Sequence, residues 1–388
     1  CGLNQSYGIT GDSTAGWVWD PAAGKAVPAP DSYTRPSSSA CFILSLRDDL
    51  VGPGGIMDLW HRESQVFKHG GGVGVNVSAL RASGEPLSGG GGSSGPMSFL
   101  KTGDRNAGAI KSGGTTRRAA LMRCMDDDHP DLLDFIWWKV KEENKVAALA
   151  AGSKAVRRHV RSVYDAAPGQ PLADARKAAL DDGVPANMLR RAELAARAGR
   201  PCPQIDLLDA DWQGEAYLTV SGQNANNSVR LTDAFMRAAE LGRDWRLVNR
   251  ANRQTARTVN ARDLWDQITD AAWQSADPGV QFPDTVNDWN PTPKLGKIES
   301  SNPCSEYMYL NDTACNLASP NLFRYLDRKT GQVDVYRLWK DARLVQTALD
   351  ITVGMSQYPS ARVAEMTYKT RSTGLGPANV PTAVTPTG

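Results

Sequence analysis

Histidine is scarce in this chain. The 388 residues hold four, His61, His69, His129 and His159, and no two fall at a metal-ligand spacing, so each reads as a structural or surface residue. Cysteine is sparse and scattered. Cys1, Cys41, Cys124, Cys202, Cys304 and Cys315 include no CxxC pair and no Cys/His set of zinc-finger spacing, which excludes a zinc ribbon or finger. Neither sign of charge is in excess, with 44 Lys+Arg against 42 Asp+Glu and a net charge of +2. That balance argues against an electrostatic nucleic-acid binder. No apolar run reaches the roughly 18–20 residues a membrane helix needs, and no basic-then-apolar segment opens the chain. The expectation is no membrane partner, no nucleic-acid partner and a cytoplasmic location, where thiols stay reduced and scattered cysteines are ordinarily inert core residues.

What the chain does have is enough apolar residue for a core (41%, with 11 Trp) and much glycine, 36 residues, concentrated between Gly70 and Gly114. Strand and helix signals alternate, which predicts an α/β protein. Residues 41–46 form an apolar run of strand length, 73–80 (VGVNVSAL) alternate, and 119–125 are strand-like. Helical spacing marks Ile56–Lys68, 97–110, 129–145, 232–240, 261–276 and 333–355. Residues 1–40 are turn-rich, 84–95 and 112–118 are glycine-rich loops, and 301–310 read as an irregular loop. The Ala-, Arg- and Lys-rich stretch at about 150–205 reads as an inserted helical region.

One short segment concentrates reactive groups: Asn302-Pro303-Cys304-Ser305-Glu306. The proline disfavours regular helix and suggests a loop tip for the thiol. A thiol can exchange a hydrogen atom or act as a nucleophile. The carboxylate two residues on can act as general base, and the amide two residues back can orient a hydroxyl. By itself the pattern is equally a loop cysteine between a turn Asn and a solvated Glu. Two further segments weigh against that reading: Cys315, eleven residues on in DTACNLAS, and Cys41, upstream in SSSACFI.

These segments resemble the class II, adenosylcobalamin-dependent ribonucleotide reductases. The likeness is carried in order by TRPSSSACFI, KHGGGVGVNVSALR, SGGGGSSGPMSFLK, GAIKSGGTTRRAA, DHPDLLDFI, GEAYLTVSGQNANNSVR, ADPGVQF and SNPCSEYMYLNDTACNLAS, and it spreads over most of residues 5–376. The resemblance implies part of a ten-stranded α/β barrel of the thiyl-radical type. Its catalytic domain covers 1–376, with the finger loop at 301–310 and the helical insertion, and 377–388 is a divergent tail. It implies reduction of ribonucleotides to 2′-deoxyribonucleotides for DNA synthesis. Cys304 would carry the thiyl radical and take the ribose 3′-hydrogen. Glu306 would deprotonate the 3′-hydroxyl, with Asn302 as its hydrogen-bonding partner. Cys41 and Cys315 would deliver two electrons and close to a disulfide, so they should meet across neighbouring strands.

The same resemblance places substrate against Ser39, Ala40, Gly71, Asn302, Pro303, Cys304, Ser305 and Glu306, with glycine at 70–72 leaving room for a ligand. Asp48, Arg81 and Ser88 mark an allosteric effector site, Ser88 standing where some relatives carry an arginine. Residues 84–95 match the loop that reads the effector. Gly113, Gly114, Thr115, Thr116, Arg117 and Arg118 match the loop that relays its identity to the substrate base. Cys124 and Cys202 match no catalytic position and read as ordinary packing or surface thiols.

The implied cofactor is adenosylcobalamin, with no metal ligands, although no DxHxxG cobalamin motif is present. The implied partners are a ribonucleotide, a deoxynucleotide or ATP effector, a thioredoxin-like reductant and a second copy of the chain. The remainder of the barrel is a further implied partner, because the GLGPAN stretch at 374–379 starts a family motif that then departs. Cys1 fits an intein or split-gene boundary, or an incomplete reading. A half barrel leaves strand edges uncovered, so the isolated chain is expected to be unstable or inactive. Two other readings stand beside this one: the large subunit of a class I reductase, and an inactive nucleotide-binding fragment.

Overall fold

Alternate residues of a strand point to opposite faces of a sheet, and here that parity gives one face most of the large apolar side chains and the other most of the small or polar ones, with Ile43 and Met122 among them. The structure, a computed structural model, describes residues 16–31, 34–110, 119–212 and 214–380. It divides into two compact units, 1–136 with 224–388, and Trp137–Gln223.

In the first unit, β1 (Trp17–Asp20) and β2 (Lys25–Pro28) pair as a hairpin inside the stretch read as turns. β3 (Cys41–Ile43), β4 (Gly72–Asn76), β5 (Ala120–Asp126) and β6 (Ala225–Arg230) follow. A second hairpin, β7 (Asp244–Val248) and β8 (Thr255–Asn260), precedes β9 (Gly279–Gln281). β10 (Ile298–Ser301) and β11 (Met308–Leu310) form a third hairpin, and β12 (Thr313–Ala318) and β13 (Thr373–Leu375) complete the set.

The main sheet runs β13-β12-β3-β4-β5-β6-β9. Only β12–β3 is antiparallel; the other neighbours are parallel. The sheet is mixed α/β and open, and among the described residues it does not close into a barrel. One face, with Phe42, Val73, Val75, Leu121 and Val229, is buried. There the Ile56–Lys68 helix is tied to β5 by Arg123, whose guanidinium grips Glu63 with two hydrogen bonds of 2.7 and 3.1 Å. The other face carries Cys41, Gly72, Gly74, Asn76, Cys124, Asn226, Ser228 and Arg230 by the same parity.

Two expectations are revised. The alternation at 73–80 continues past the strand, which ends at Asn76, where its side-chain oxygen turns the chain by accepting from Ser78 N at 2.8 Å. Residues 301–310 are irregular only in part: Ser301 and Met308–Leu310 pair in the β10–β11 hairpin, 302–307 form the turn between them, and Pro303 with the left-handed Ser305 masks the strand pattern.

The second unit is helical. Trp138–Asp165 is one continuous helix, with Gln170–Asp181 and Ala186–Arg197 packed on it through Val160, Val163, Ala179, Val184, Leu189 and Ala192. The unit is wider than the stretch at 150–205, because this helix begins well before the Ala- and Arg-rich composition does. Among the described residues no helix is long and apolar enough to cross a membrane.

Candidate functional site

The β10–β11 hairpin packs on β4 and β5, on the polar face of the sheet. Two glycines of GVGVN make that approach possible. A Cβ at Gly74 would overlap the Ser301 carbonyl, and one at Gly72 would lie 2.7 Å from the Pro303 ring. At Gly71 it would strike Val66 and Phe42. Glycine at 71 and 72 therefore makes room for the chain's own atoms.

The tip of the hairpin is a hydrogen-bonded turn. Ser305 N donates to the Asn302 carbonyl at 3.1 Å, and Asn302 N donates to the Tyr307 carbonyl at 3.0 Å. Asn302 Oδ1 accepts from Tyr307 N at 3.0 Å. Pro303 takes the second position of the turn, which suits its fixed φ. Ser305 sits at φ 63°. Cys304 is exposed, while Asn302 beside it is buried.

The residues two before and two after Cys304 converge on a second cysteine. Asn302 Nδ2 donates to Cys41 Sγ at 3.1 Å, and the Cys41 thiol donates to Glu306 Oε1 at 3.4 Å. Cys315 stands opposite Cys41 in the antiparallel β12–β3 register. Opposed residues in such a pair have Cα atoms about 4.5–5.5 Å apart, inside the window of about 4.4–6.8 Å that a disulfide requires. Both thiols are free, buried and packed among Ile43, Ile298, Tyr307, Tyr309, Leu310 and Met366. Burial and then the Glu306 charge push each of them up to about 12, so both remain S–H at neutral pH.

The other expected positions are distributed as follows. Ser39 is buried and donates to Asn316 Oδ1 at 2.6 Å, and the Ala40 carbonyl accepts from Gly72 N at 2.7 Å. Asp48 and Arg81 form an ion pair, and Arg81 also donates to the Pro86 carbonyl at 3.0 Å. Ser88 is exposed in a small bonded hairpin in which Leu87 N donates to the Gly91 carbonyl and Ser93 N to the Glu85 carbonyl. Gly113, Gly114, Thr115, Thr116, Arg117 and Arg118 lie outside the described residues, as does Cys1.

Reasoning from sequence missed the side chains that hold the hairpin down: Asn226, which reaches the Pro303 carbonyl, and Gln281, which reaches Ser301. The available signal is the density of amides in SGQNANNSVR and the Gln in ADPGVQF.

The family model of the ribonucleotide reductase barrel domain matches residues 39–388. The vitamin B12-dependent ribonucleotide reductase of Agrobacterium fabrum is 50% identical across 98% of this chain, and that of Bradyrhizobium diazoefficiens 49% identical across 98%. The vitamin B12-dependent ribonucleoside-diphosphate reductase of Mycobacterium tuberculosis H37Rv is 30% identical across 87%. The chain spans 31% of the length of the first two relatives and 36% of the third. A family model that matches residues 39–388, with relatives about half identical across 98% of the chain, means that the chain belongs to the ribonucleotide reductase barrel-domain family.

Proposed function

We propose that this chain carries the radical and redox cysteines of an adenosylcobalamin-dependent ribonucleotide reductase. The observation behind this reading is that Asn302 and Glu306, flanking Cys304, both touch Cys41, which stands opposite Cys315. A thiol that meets substrate and a thiol pair that can close are thereby gathered in one place.

In this reading the Cys304 thiyl removes the 3′-hydrogen of a bound ribonucleotide. Adenosylcobalamin supplies the oxidising radical when bound, and the exposure of Cys304 at a hairpin tip fits a thiol that must be reached from outside the chain. Glu306 takes the 3′-hydroxyl proton, and the 2′-hydroxyl leaves as water once protonated. Cys41 and Cys315 give up two electrons and two protons and form one S–S bond, and Cys304 returns the 3′-hydrogen. One C–OH and two thiols thus become one C–H, one water and one disulfide. Holding both thiols protonated suits this role, because the pair must deliver hydrogen along with electrons.

Substrate lies against Ser39, Ala40, Gly71 and the 302–306 turn. Asp48 and Arg81, already paired with each other, offer a carboxylate to an effector ribose and a guanidinium to its phosphate, beside Ser88. A thioredoxin-like protein reduces the disulfide, and the enzyme acts as a cytoplasmic homodimer.

The test is deoxyribonucleotide formation by the protein containing this chain, with and without adenosylcobalamin. Turnover is expected only with the cofactor, and none with Cys304→Ala. Turnover that needs a separate metal-containing subunit would assign the chain to class I instead, and nucleotide binding without any turnover would leave an inactive fragment.

A further inference from the structure

The hairpin tip is fixed by side chains that have no part in the chemistry above. Asn226 Nδ2 donates to the Pro303 carbonyl at 2.7 Å. That carbonyl belongs to the peptide unit whose nitrogen is Cys304's own. Two residues back along the hairpin, Gln281 Nε2 donates to Ser301 Oγ at 2.8 Å. Gln281 is 3% exposed and Cys124 is fully buried, and the Cys124 thiol donates to Gln281 Oε1 at 3.7 Å. Cys124 in turn accepts from the Ser300 hydroxyl at 3.4 Å. With its oxygen and nitrogen both engaged, the Gln281 amide has one preferred orientation. The glycine floor at Gly72 and Gly74 sets how closely the hairpin approaches, and a smooth floor does not stop it sliding. The Asn226 bond is the contact that ties the turn itself to β6.

We propose that Asn226 is a positioning residue for Cys304, with Gln281 and Cys124 as its support one step back along the hairpin. The proposal rests on the reading of Cys304 as the reactive thiol. Hydrogen abstraction demands a near-contact geometry, and a displacement of about 1 Å costs on the order of 100-fold in rate. A single amide bond at the peptide before the thiol is therefore enough to govern turnover without touching substrate.

Amide hydrogen exchange on the chain tests the placement without any need for activity. In Asn226→Ala and the isosteric Asn226→Asp, exchange at the Ser305 and Tyr307 amides is expected to speed by about tenfold or more, while Val73 and Val75 in β4 stay within about twofold. Gln281→Met is expected to loosen the same two amides and serves where an Asn226 variant fails to fold. In turnover, Asn226→Asp is expected to lose about 10- to 100-fold in kcat with KM retained. Relative to wild type it regains rate as pH falls, because a protonated carboxyl donates to the Pro303 carbonyl as the amide does. Asn226→Ala shows no such recovery. Unchanged protection of Ser305 and Tyr307 in the Asn226 variants and Gln281→Met overturns the proposal whatever the activity. Absence of turnover in the wild-type protein overturns the functional reading, and the exchange measurement still decides the role of Asn226.

Discussion

Cys41 and Cys315 stand directly opposite each other on the antiparallel β3 and β12 strands, 274 positions apart in the chain as numbered. That register prepares a disulfide without backbone movement. Mild oxidation with diamide is expected to join Cys41 to Cys315 within one chain, seen by peptide mapping under non-reducing conditions. Cys41→Ser or Cys315→Ser should each abolish that linked peptide. A dominant Cys41–Cys304 link would mean that the turn, and not β12, provides the partner.

The two thiols and the exposed one should also differ in reactivity. Burial and the Glu306 charge push Cys41 and Cys315 up to about 12. Thiolate is the nucleophile, so their alkylation should be slow at pH 8 and keep climbing as pH approaches 12. Cys304, exposed at the turn, is expected to label first. Glu306→Gln removes the charge that acts beside burial on both thiols and should shift the Cys41 and Cys315 profiles to lower pH, read by quantitative mass spectrometry of each cysteine peptide.

Gly74 is where the hairpin and the sheet come closest. Gly74→Ala puts a methyl group onto the Ser301 carbonyl, a backbone atom that cannot rotate away. The cost should reach about 3 kcal/mol or more, the upper end for overpacking, measured by urea unfolding. Gly72→Ala meets the edge of the Pro303 ring and should cost less, because the ring can shift by a few tenths of an ångström.

The reactive set was legible because its members sit in compact segments that resemble a known family's motifs: Asn302, Cys304 and Glu306 within five residues, Cys41 in SSSACFI and Cys315 in DTACNLAS. Their support was not. Asn226 and Asn227 are neighbours of the same residue type, yet strand parity sends one to the hairpin and the other to the opposite face. Periodicity finds a strand but leaves the partner of each face unnamed. The β10–β11 hairpin escaped for a related reason. Its strands are four and three residues long, and Pro303 and Ser305 between them carry the signature of a loop. The Arg123–Glu63 pair escaped because a charge inside a strand reads as a solvent-facing position.

That pair gives a further prediction. Arg123 and Glu63 are both almost fully buried, with side chains 2% and 0% exposed. Glu63→Gln leaves a cation without its counter-charge and should cost about 3–5 kcal/mol. Replacing both partners, as in Glu63→Leu with Arg123→Met, should recover much of that loss, since two desolvated charges are removed together. Chemical denaturation of the single and double variants measures the difference. A double variant as unstable as Glu63→Gln would show that the pair does more than satisfy itself.

His129 sets the acid side of stability. Its Nδ1 accepts from Asp131 N at 3.1 Å, so the ring is neutral and its Nε2–H donates to the Leu80 carbonyl at 3.0 Å. Burial pushes its pKa down to about 4, and the Arg250 charge nearby adds to this. In the unfolded chain the ring takes a proton near its ordinary 6.5. A depressed pKa contributes stability that is present above 6.5 and lost as pH falls towards 4. Asp127 has the opposite sign: burial raises it from 3.8 to about 7, so its contribution is present below 3.8 and lost as pH rises through 7. The two trends oppose each other between pH 4 and 7, and the wild-type profile alone cannot separate them. The difference between wild type and His129→Asn removes the Asp127 contribution. That difference should shrink by on the order of 3 kcal/mol between pH 7 and pH 4, measured by urea unfolding of both proteins at each pH. A gap that does not change with pH would mean that the folded chain takes up the His129 proton as readily as the unfolded one, so that the hydrogen bond from Asp131 N does not hold the ring neutral.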